Sequence, residues 1–319
     1  MATNSSLPSR GARRRTVLVL APLAGALASV VLLGTCSEVS YASPTVLASF
    51  PGQSYELGGR SLASPGGYGW PVKPFNRQHP VRGFFGDPRI GGAHGTSKQF
   101  HFGVDVSAPN GTPVFATISG TVSFIHPDAL SVSAGDGLAF EYWHIVPTVR
   151  AGQRVKAYET AIGHVEKPWA HVHFSERRNG TYVNPLRAGA MRPFVDDADP
   201  RVRAIHLRDG ELTADVEDET PIAVPAPWSS LPVMPAVVRW RIAGKRWQTV
   251  VDFRTSIPSA SAFHAIYAHA TRQNHANLPG LYRIRLASGS AVSGLRGRDV
   301  QVEVLDAGGN RASGARSLR

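Results

Sequence analysis

Apolar and polar residues alternate one by one through several short runs of this chain: FHFGVDV at 100–106, PVFATISGTVSFI at 113–125, LAFEYWHI at 138–145 and AHVHFS at 170–175. Three later runs, VVRWRI at 237–242, LYRIRL at 281–286 and VQVEVL at 300–305, repeat the pattern. A period of two marks a half-buried β-strand. Turn residues such as Pro109-Asn110-Gly111 and Asn179-Gly180 separate the runs. No stretch beyond the N-terminal region keeps a helical period. The pattern therefore predicts an all-β protein. Its first dense block, residues 69–195, reads as an antiparallel sheet. A second block, residues 201–319, reads as a β-sandwich and is similar to immunoglobulin-like modules. The acidic run Asp196-Asp197-Ala198-Asp199-Pro200 stands between them, and residues 43–68, rich in Ser, Gly and Pro, read as a linker.

The first 42 residues follow different rules. RGARRR at 10–15 precedes TVLVLAPLAGALASVVLLGT at 16–35, which carries no charge. A basic start before an apolar stretch is an export signal, and this one is also long enough to stay as a membrane anchor. Ser40-Tyr41-Ala42 suits signal cleavage, and Cys36 sits in a loose lipoprotein-like context. Each outcome places the rest of the chain outside the cytoplasm, secreted or held at a bacterial cell envelope, with membrane contact only through residues 16–35.

Composition narrows the chemistry. Cys36 is the single cysteine, so there is no intrachain disulfide, and any metal site is built from His, Asp and Glu. The formal net charge is +11. Residues 1–42 hold four arginines and one glutamate, net +3, which leaves +8 for the remainder. Such a surface favours polyanions, whether nucleic acid, anionic cell-wall polymer or an anionic membrane surface, and it equally serves solubility alone.

The alternation also sorts the reactive side chains. If 100–106 is one strand, His101, Gly103 and Asp105 share a face opposite Phe100, Phe102, Val104 and Val106. A helix would also bring 101 and 105 together, but the regular alternation and the glycine favour a strand. In 170–174, His171 and His173 face away from Ala170, Val172 and Phe174. In 142–145, Tyr142 and His144 face one side, Trp143 and Ile145 the other. Trp143 is thereby expected in the core, while Trp169 stays open as a groove residue. Imidazoles with one carboxylate suit Zn2+, which takes three protein ligands at a catalytic site and leaves one position open.

HFGVD at 101–105 and HVH at 171–173 resemble the HxxxD and HxH motifs of the LytM/lysostaphin-type zinc endopeptidases. PVRGFFGDPR (80–89), APNGTPVFATISGTV (108–122), YWHI (142–145), AGQRVKAYETAIG (151–163) and NPL (184–186) are similar to other segments of that family, in the family's order. The resemblance implies one Zn2+ per chain, held by His101, Asp105 and His173. It gives His171 and His144 as catalytic residues, and a substrate of peptidoglycan stem or cross-bridge peptide, with no nucleic-acid partner. EKPWAHVHF at 166–174 departs from the family's lead into HxH, so Glu166, Lys167, Pro168 and Trp169 are expected to alter the groove rim. The competing expectation is a catalytically silent relative that binds cell wall or activates an amidase. His94, His126, His164, His206, His264, His269 and His275 carry no such context and are expected to be structural. Ordinary imidazole ionisation predicts an activity that falls below about pH 6.

Overall fold

The computed structural model describes residues 67–91 and 98–319, with the backbone of a short strand pair at 56–57 and 60–61. The export segment, Cys36, most of the 43–68 stretch and His94 lie outside the described residues. Among the described residues, no helix is long and apolar enough to cross a membrane.

The all-β expectation holds. In chain order the strands are β1 (Glu56–Leu57), β2 (Arg60–Ser61), β3 (Pro88–Ile90), β4 (Lys98–Phe100), β5 (Val104–Ser107), β6 (Pro113–Phe115), β7 (Gly120–His126), β8 (Ala129–Ser133), β9 (Leu138–Trp143), β10 (Ile145–Pro147), β11 (Arg154–Val155), β12 (Ala161–Val165), β13 (His171–Arg178) and β14 (Thr181–Val183). The later part of the chain adds β15 (Arg201–Arg208), β16 (Glu211–Glu217), β17 (Val237–Ile242), β18 (Gln248–Asp252), β19 (Tyr282–Ser288), β20 (Asp299–Leu305) and β21 (Arg311–Ser317), with one helical turn, α1 (Phe263–Ile266).

A sheet in the order β11-β7-β8-β9-β13-β14, with β5 also paired to β13, forms the frame of the first block. β13 is its pivot. His171–Phe174 pairs antiparallel with β5, and His173–Arg178 pairs with β9 on the other edge. Val172, Phe174, Val104, Val106, Phe140 and Tyr142 are buried on the inner face, as alternation requires. A smaller sheet, β10-β12-β6, and the β3–β4 pair complete this block. Residues 201–317 form two antiparallel sheets, β15-β16-β19 and β18-β17-β20-β21. The hydrophobic core runs without a break from Trp70 and Phe100 to Phe253, Tyr267 and Val302.

Two strand expectations need correction. Residues 100–106 are not one strand, because the ladder stops at Phe100 and restarts at Val104. Between them, the chain changes partner. The His101 N–H donates to Asp87 O at 2.8 Å, and Gly86 N–H donates to His101 O at 2.8 Å, before β5 joins β13. The run 138–145 is likewise broken at His144, whose φ of 63° is left-handed and ends the alternation between β9 and β10.

Candidate active site

His101 hangs from the 101–103 crossover, Asp105 from β5, and His171 and His173 from β13. The cross-strand register places His173 opposite Asp105 and His171 opposite Ser107, so these side chains rise from one face. Gly103 makes the approach possible. A Cβ there would lie 2.4 Å from Phe174 O, 2.5 Å from Ser175 Oγ and 2.8 Å from His173 Nε2.

Asp105 Oδ1 is the hub. It lies 3.0 Å from His101 Nε2, 3.2 Å from His173 Nδ1 and 3.4 Å from His171 Nε2. His101 Nε2 and His173 Nδ1 are 2.7 Å apart. The outer nitrogens have partners of their own: His101 Nδ1 is 2.8 Å from Phe84 O and His173 Nε2 is 2.8 Å from Ser175 Oγ. A carbonyl only accepts, so His101 carries its proton on Nδ1 and turns a bare Nε2 inward. With Ser175 Oγ accepting from Nε2–H, His173 turns a bare Nδ1 to the same point. Two nitrogen lone pairs and a carboxylate oxygen thus converge, a donor set that fits a cation such as Zn2+. Arg89 Nη2 donates to Asp105 Oδ2 at 2.7 Å.

Burial sets the ionisation. His101 is driven down to about 3, first by desolvation and then by the Arg89 charge. Desolvation also lowers His171. His144 falls to about 3, through desolvation and then the proximity of His171. Burial alone would raise Asp105, but His101, His171 and Arg89 outweigh it and hold the carboxyl well below its usual range. At neutral pH His101, His144 and His171 are therefore neutral beside a charged carboxylate.

His144 comes from the left-handed bend after β9. Its ring lies 4.8 Å from that of His171 and stacks on Trp169 at 4.2 Å. His144 Nδ1 lies 3.5 Å from Asp128 Oδ2. His171 Nδ1 sits 2.8 Å from Trp169 O and 2.6 Å from Arg82 Nη2. The two contacts exclude each other: a protonated Nδ1 donates to Trp169 O, and a bare one accepts from Arg82.

All five residues singled out from sequence line one cleft of about 920 Å³. Its floor is the histidine cluster, and Phe102, Trp143 and Tyr182 form one side. Trp143 was expected in the core. The β9 register instead sets it opposite His173, on the cleft face of the sheet, edge-on to Phe102 and His173. Trp169 is a groove residue. His126, expected to be structural, also lines the cleft and pairs with Asp128. The later part of the chain lines the cleft as well, with Trp228, Ile257 and Asn274 among its residues. Arg82 stacks on Trp228, with Cζ 4.2 Å from the ring centroid.

Sequence reasoning missed Arg82, Arg89, Ser175 and the Trp228 wall. Ser175 had a signal, since it lies two residues past His173 on the same face of β13. The others are joined to the site only by folding across long sequence separations.

Residues 99–185 match the profile of Peptidase family M23. Over 110 residues the chain is 30% identical to the DD-carboxypeptidase/endopeptidase Mpg of Neisseria meningitidis serogroup B, and equally to Mpg of Neisseria gonorrhoeae. These alignments cover 32% of this chain and 25% of each relative, so the chain spans about a quarter of the length of the curated relatives it matches. Similar solved structures include the catalytic domain of the prophage-encoded M23 protein EnpA from Enterococcus faecalis, 27% identical over 32% of this chain and 91% of that one, with a TM-score of 0.26. Another is a zinc-containing peptidase from Vibrio cholerae, 25% identical over 41% of this chain and 42% of that one, with a TM-score of 0.31. The family consists in general of zinc metallopeptidases of peptidoglycan, and some members are inactive. Over residues 99–185, this chain carries a LytM-type domain of Peptidase family M23.

Proposed function

We propose that this protein is a zinc-dependent endopeptidase that hydrolyses peptide bonds in peptidoglycan stems or cross-bridges, outside the cytoplasm. The observation that carries this reading is the convergence of His101 Nε2, Asp105 Oδ1 and His173 Nδ1 at the floor of an open cleft, with two more imidazoles beside them. His101, Asp105 and His173 would hold the ion. When bound, Zn2+ supplies a Lewis acid that polarises a carbonyl and acidifies water.

The remaining roles fall to this chain's own groups. His171, with Nδ1–H donated to Trp169 O, presents a bare Nε2 near Asp105 and acts as the general base. The Arg82 guanidinium beside its ring opposes a lasting positive charge there, which favours passing the proton on to the leaving amine. His144, neutral and clamped by Trp169, is positioned to donate a hydrogen bond to a developing oxyanion. Phe102, Trp143 and Tyr182 supply apolar walls for an extended peptide. The +8 charge outside residues 1–42 supports attraction to anionic wall polymer.

The test uses residues 43–319 with purified peptidoglycan. One Zn2+ per chain and new free amino groups that disappear with chelator and in His171→Ala are expected. Zinc-loaded protein that releases no amines, yet binds the wall or stimulates an amidase, would replace this reading with that of a silent regulator.

A further inference from the structure

A second set of convergent donors lies outside the cleft. Asp196 belongs to the connector before β15, Asp218 follows the last residue of β16, and Asp306 follows the last residue of β20. β16 and β20 belong to different sheets. One carboxylate oxygen from each residue lies within 4.8 Å of the others. Asp218 is 1% exposed, Asp306 2% and Asp196 8%. The charges that act on Asp196 and Asp218 are those of other carboxylates.

The hydrogen bonding is lopsided. Asp306 is fully held: Oδ1 accepts from Gly309 N at 2.6 Å and Asn310 N at 2.8 Å, and Oδ2 accepts from Asn310 Nδ2 at 2.7 Å. Asp218 Oδ1 accepts from Glu219 N at 2.8 Å, but its Oδ2 has no partner. Asp196 has only the Ala198 amide turned toward it, short of a full hydrogen bond on either oxygen. The cluster of like charge thus holds buried carboxylate oxygens without a matching donor. An unmatched buried acceptor is costly, and a buried unmatched charge more so. The backbone carbonyls of Asp196 and Ala198, both reached by Asn310 Nδ2, add oxygen donors at the same place.

We propose that Asp196, Asp218 and Asp306 form a structural Ca2+ site that fastens the 196–200 connector to both C-terminal sheets. The donors are all hard oxygens, which suit Ca2+ or Mg2+ rather than Zn2+. Ca2+ accepts an irregular, carboxylate-rich shell of six to eight oxygens. Mg2+ demands a regular octahedron and keeps several waters, for which this buried pocket leaves little room. Ionisation agrees with the geometry. Burial and then the Asp306 charge push Asp196 up to about 7, and burial and then the Asp196 charge push Asp218 up to about 8. Without a cation, the cluster resists carrying its full charge. Placement gives the ion a task. Val195 is hydrogen-bonded both ways to Gln78, and Asp218 is bridged to Val233, beside the Met234 amide that binds Asp87. A cation here would stiffen the junction from which the Trp228 wall descends.

The test titrates the zinc-loaded full chain with CaCl2 in calcium-free buffer at pH 7.5, by calorimetry and thermal unfolding. The expected result is one Ca2+ bound at this site and a Tm higher by about 5 °C at saturation. Asp196→Asn and Asp218→Asn should each lower the Ca2+ affinity at least about 10-fold and abolish the Tm rise, while exposed Asp197→Asn keeps both. Asn at 196 keeps an oxygen for the Ala198 amide, so that variant should fold. No heat and no Tm change in the parent would overturn the proposal and leave a carboxyl triad that holds its own protons. An equal response in both variants, or one to MgCl2 as large as to CaCl2, would overturn it as well.

Discussion

At the scale of single residues, the proposed roles separate side chains that would hold an ion from side chains that would move a proton, and two variants should tell them apart. His171→Ala is expected to cut kcat by about 10²- to 10⁴-fold and leave one Zn2+ per chain, since His171 is not among the three convergent donors. His101→Ala should lose the zinc as well, as read by metal analysis after gel filtration. A His171→Ala protein that loses zinc as readily would move His171 into the ligand set. Ionisation supplies a second residue-scale prediction. An imidazole with its pKa lowered keeps its neutral form to lower pH. His101 and His144 stand at about 3 and His171 is shifted the same way, each chiefly through burial. The acid limb of kcat/KM should therefore lie below about pH 5, not at the pH 6 that unperturbed histidines suggest. Rates on a soluble stem peptide between pH 4 and 8 provide the check. A limb centred near 6.5 would mean that the cluster is better solvated than its burial implies.

At the scale of elements, the site depends on an interrupted strand. The 101–103 crossover lets β4 pair with β3 while β5 pairs with β13, and Gly103 fits only because it lacks a Cβ. Gly103→Ala must push back the Phe174 carbonyl or the Ser175 and His173 side chains. A loss of about 1–3 kcal/mol in urea unfolding is expected, with weakened zinc binding because His173 Nε2 is one of the displaced atoms. A variant with unchanged stability and zinc affinity would show that the crossover yields freely. The same element marks the boundary of what the sequence displays. Alternation in 170–175 is legible because β13 is regular, with Val172 and Phe174 inward and His171 and His173 outward. Alternation also put His101 and Asp105 on a common side, and they do converge, but through a change of strand partner that periodicity cannot encode. At 142–145 the period misleads: Tyr142 is the inward residue and Trp143 shares the face of His173, and the left-handed φ at His144 brings that ring round to the same face. Strands β17, β19 and β20 were legible as strands. Their contribution to the cleft was not, because Trp228, Ile257 and Asn274 reach it only through tertiary packing.

At the scale of the whole molecule, the two blocks read from the sequence share a core, and the site sits against the shared part. Phe253 follows β18 in the later block and is fully buried. Its ring meets Phe100 edge-on at 5.6 Å. It also fills the space beside Gly86, where a Cβ would come within 2.2 Å of the Phe253 ring. Phe100 immediately precedes His101, and the Gly86 amide holds the His101 carbonyl, so Phe253 braces the backbone that carries one inferred ligand. Two further bonds cross at the same place: Tyr267 Oη donates to Gly86 O at 2.6 Å, and Met234 N to Asp87 Oδ1 at 2.9 Å. Phe253→Ala should therefore do more than lower stability by the roughly 3–5 kcal/mol of a large core truncation. It should also weaken zinc retention and lower kcat/KM at temperatures where the protein remains folded. Val302→Ala, a truncation at a fully buried position in β20, is the control, expected to lower Tm while leaving zinc and turnover unchanged. Calorimetric unfolding and competitive zinc titration of both variants separate the cases. If Phe253→Ala melts lower but binds zinc as tightly as the parent, the later block packs on the peptidase domain without bracing its site. If zinc affinity falls in that variant alone, the C-terminal sheets are part of what holds His101 in place.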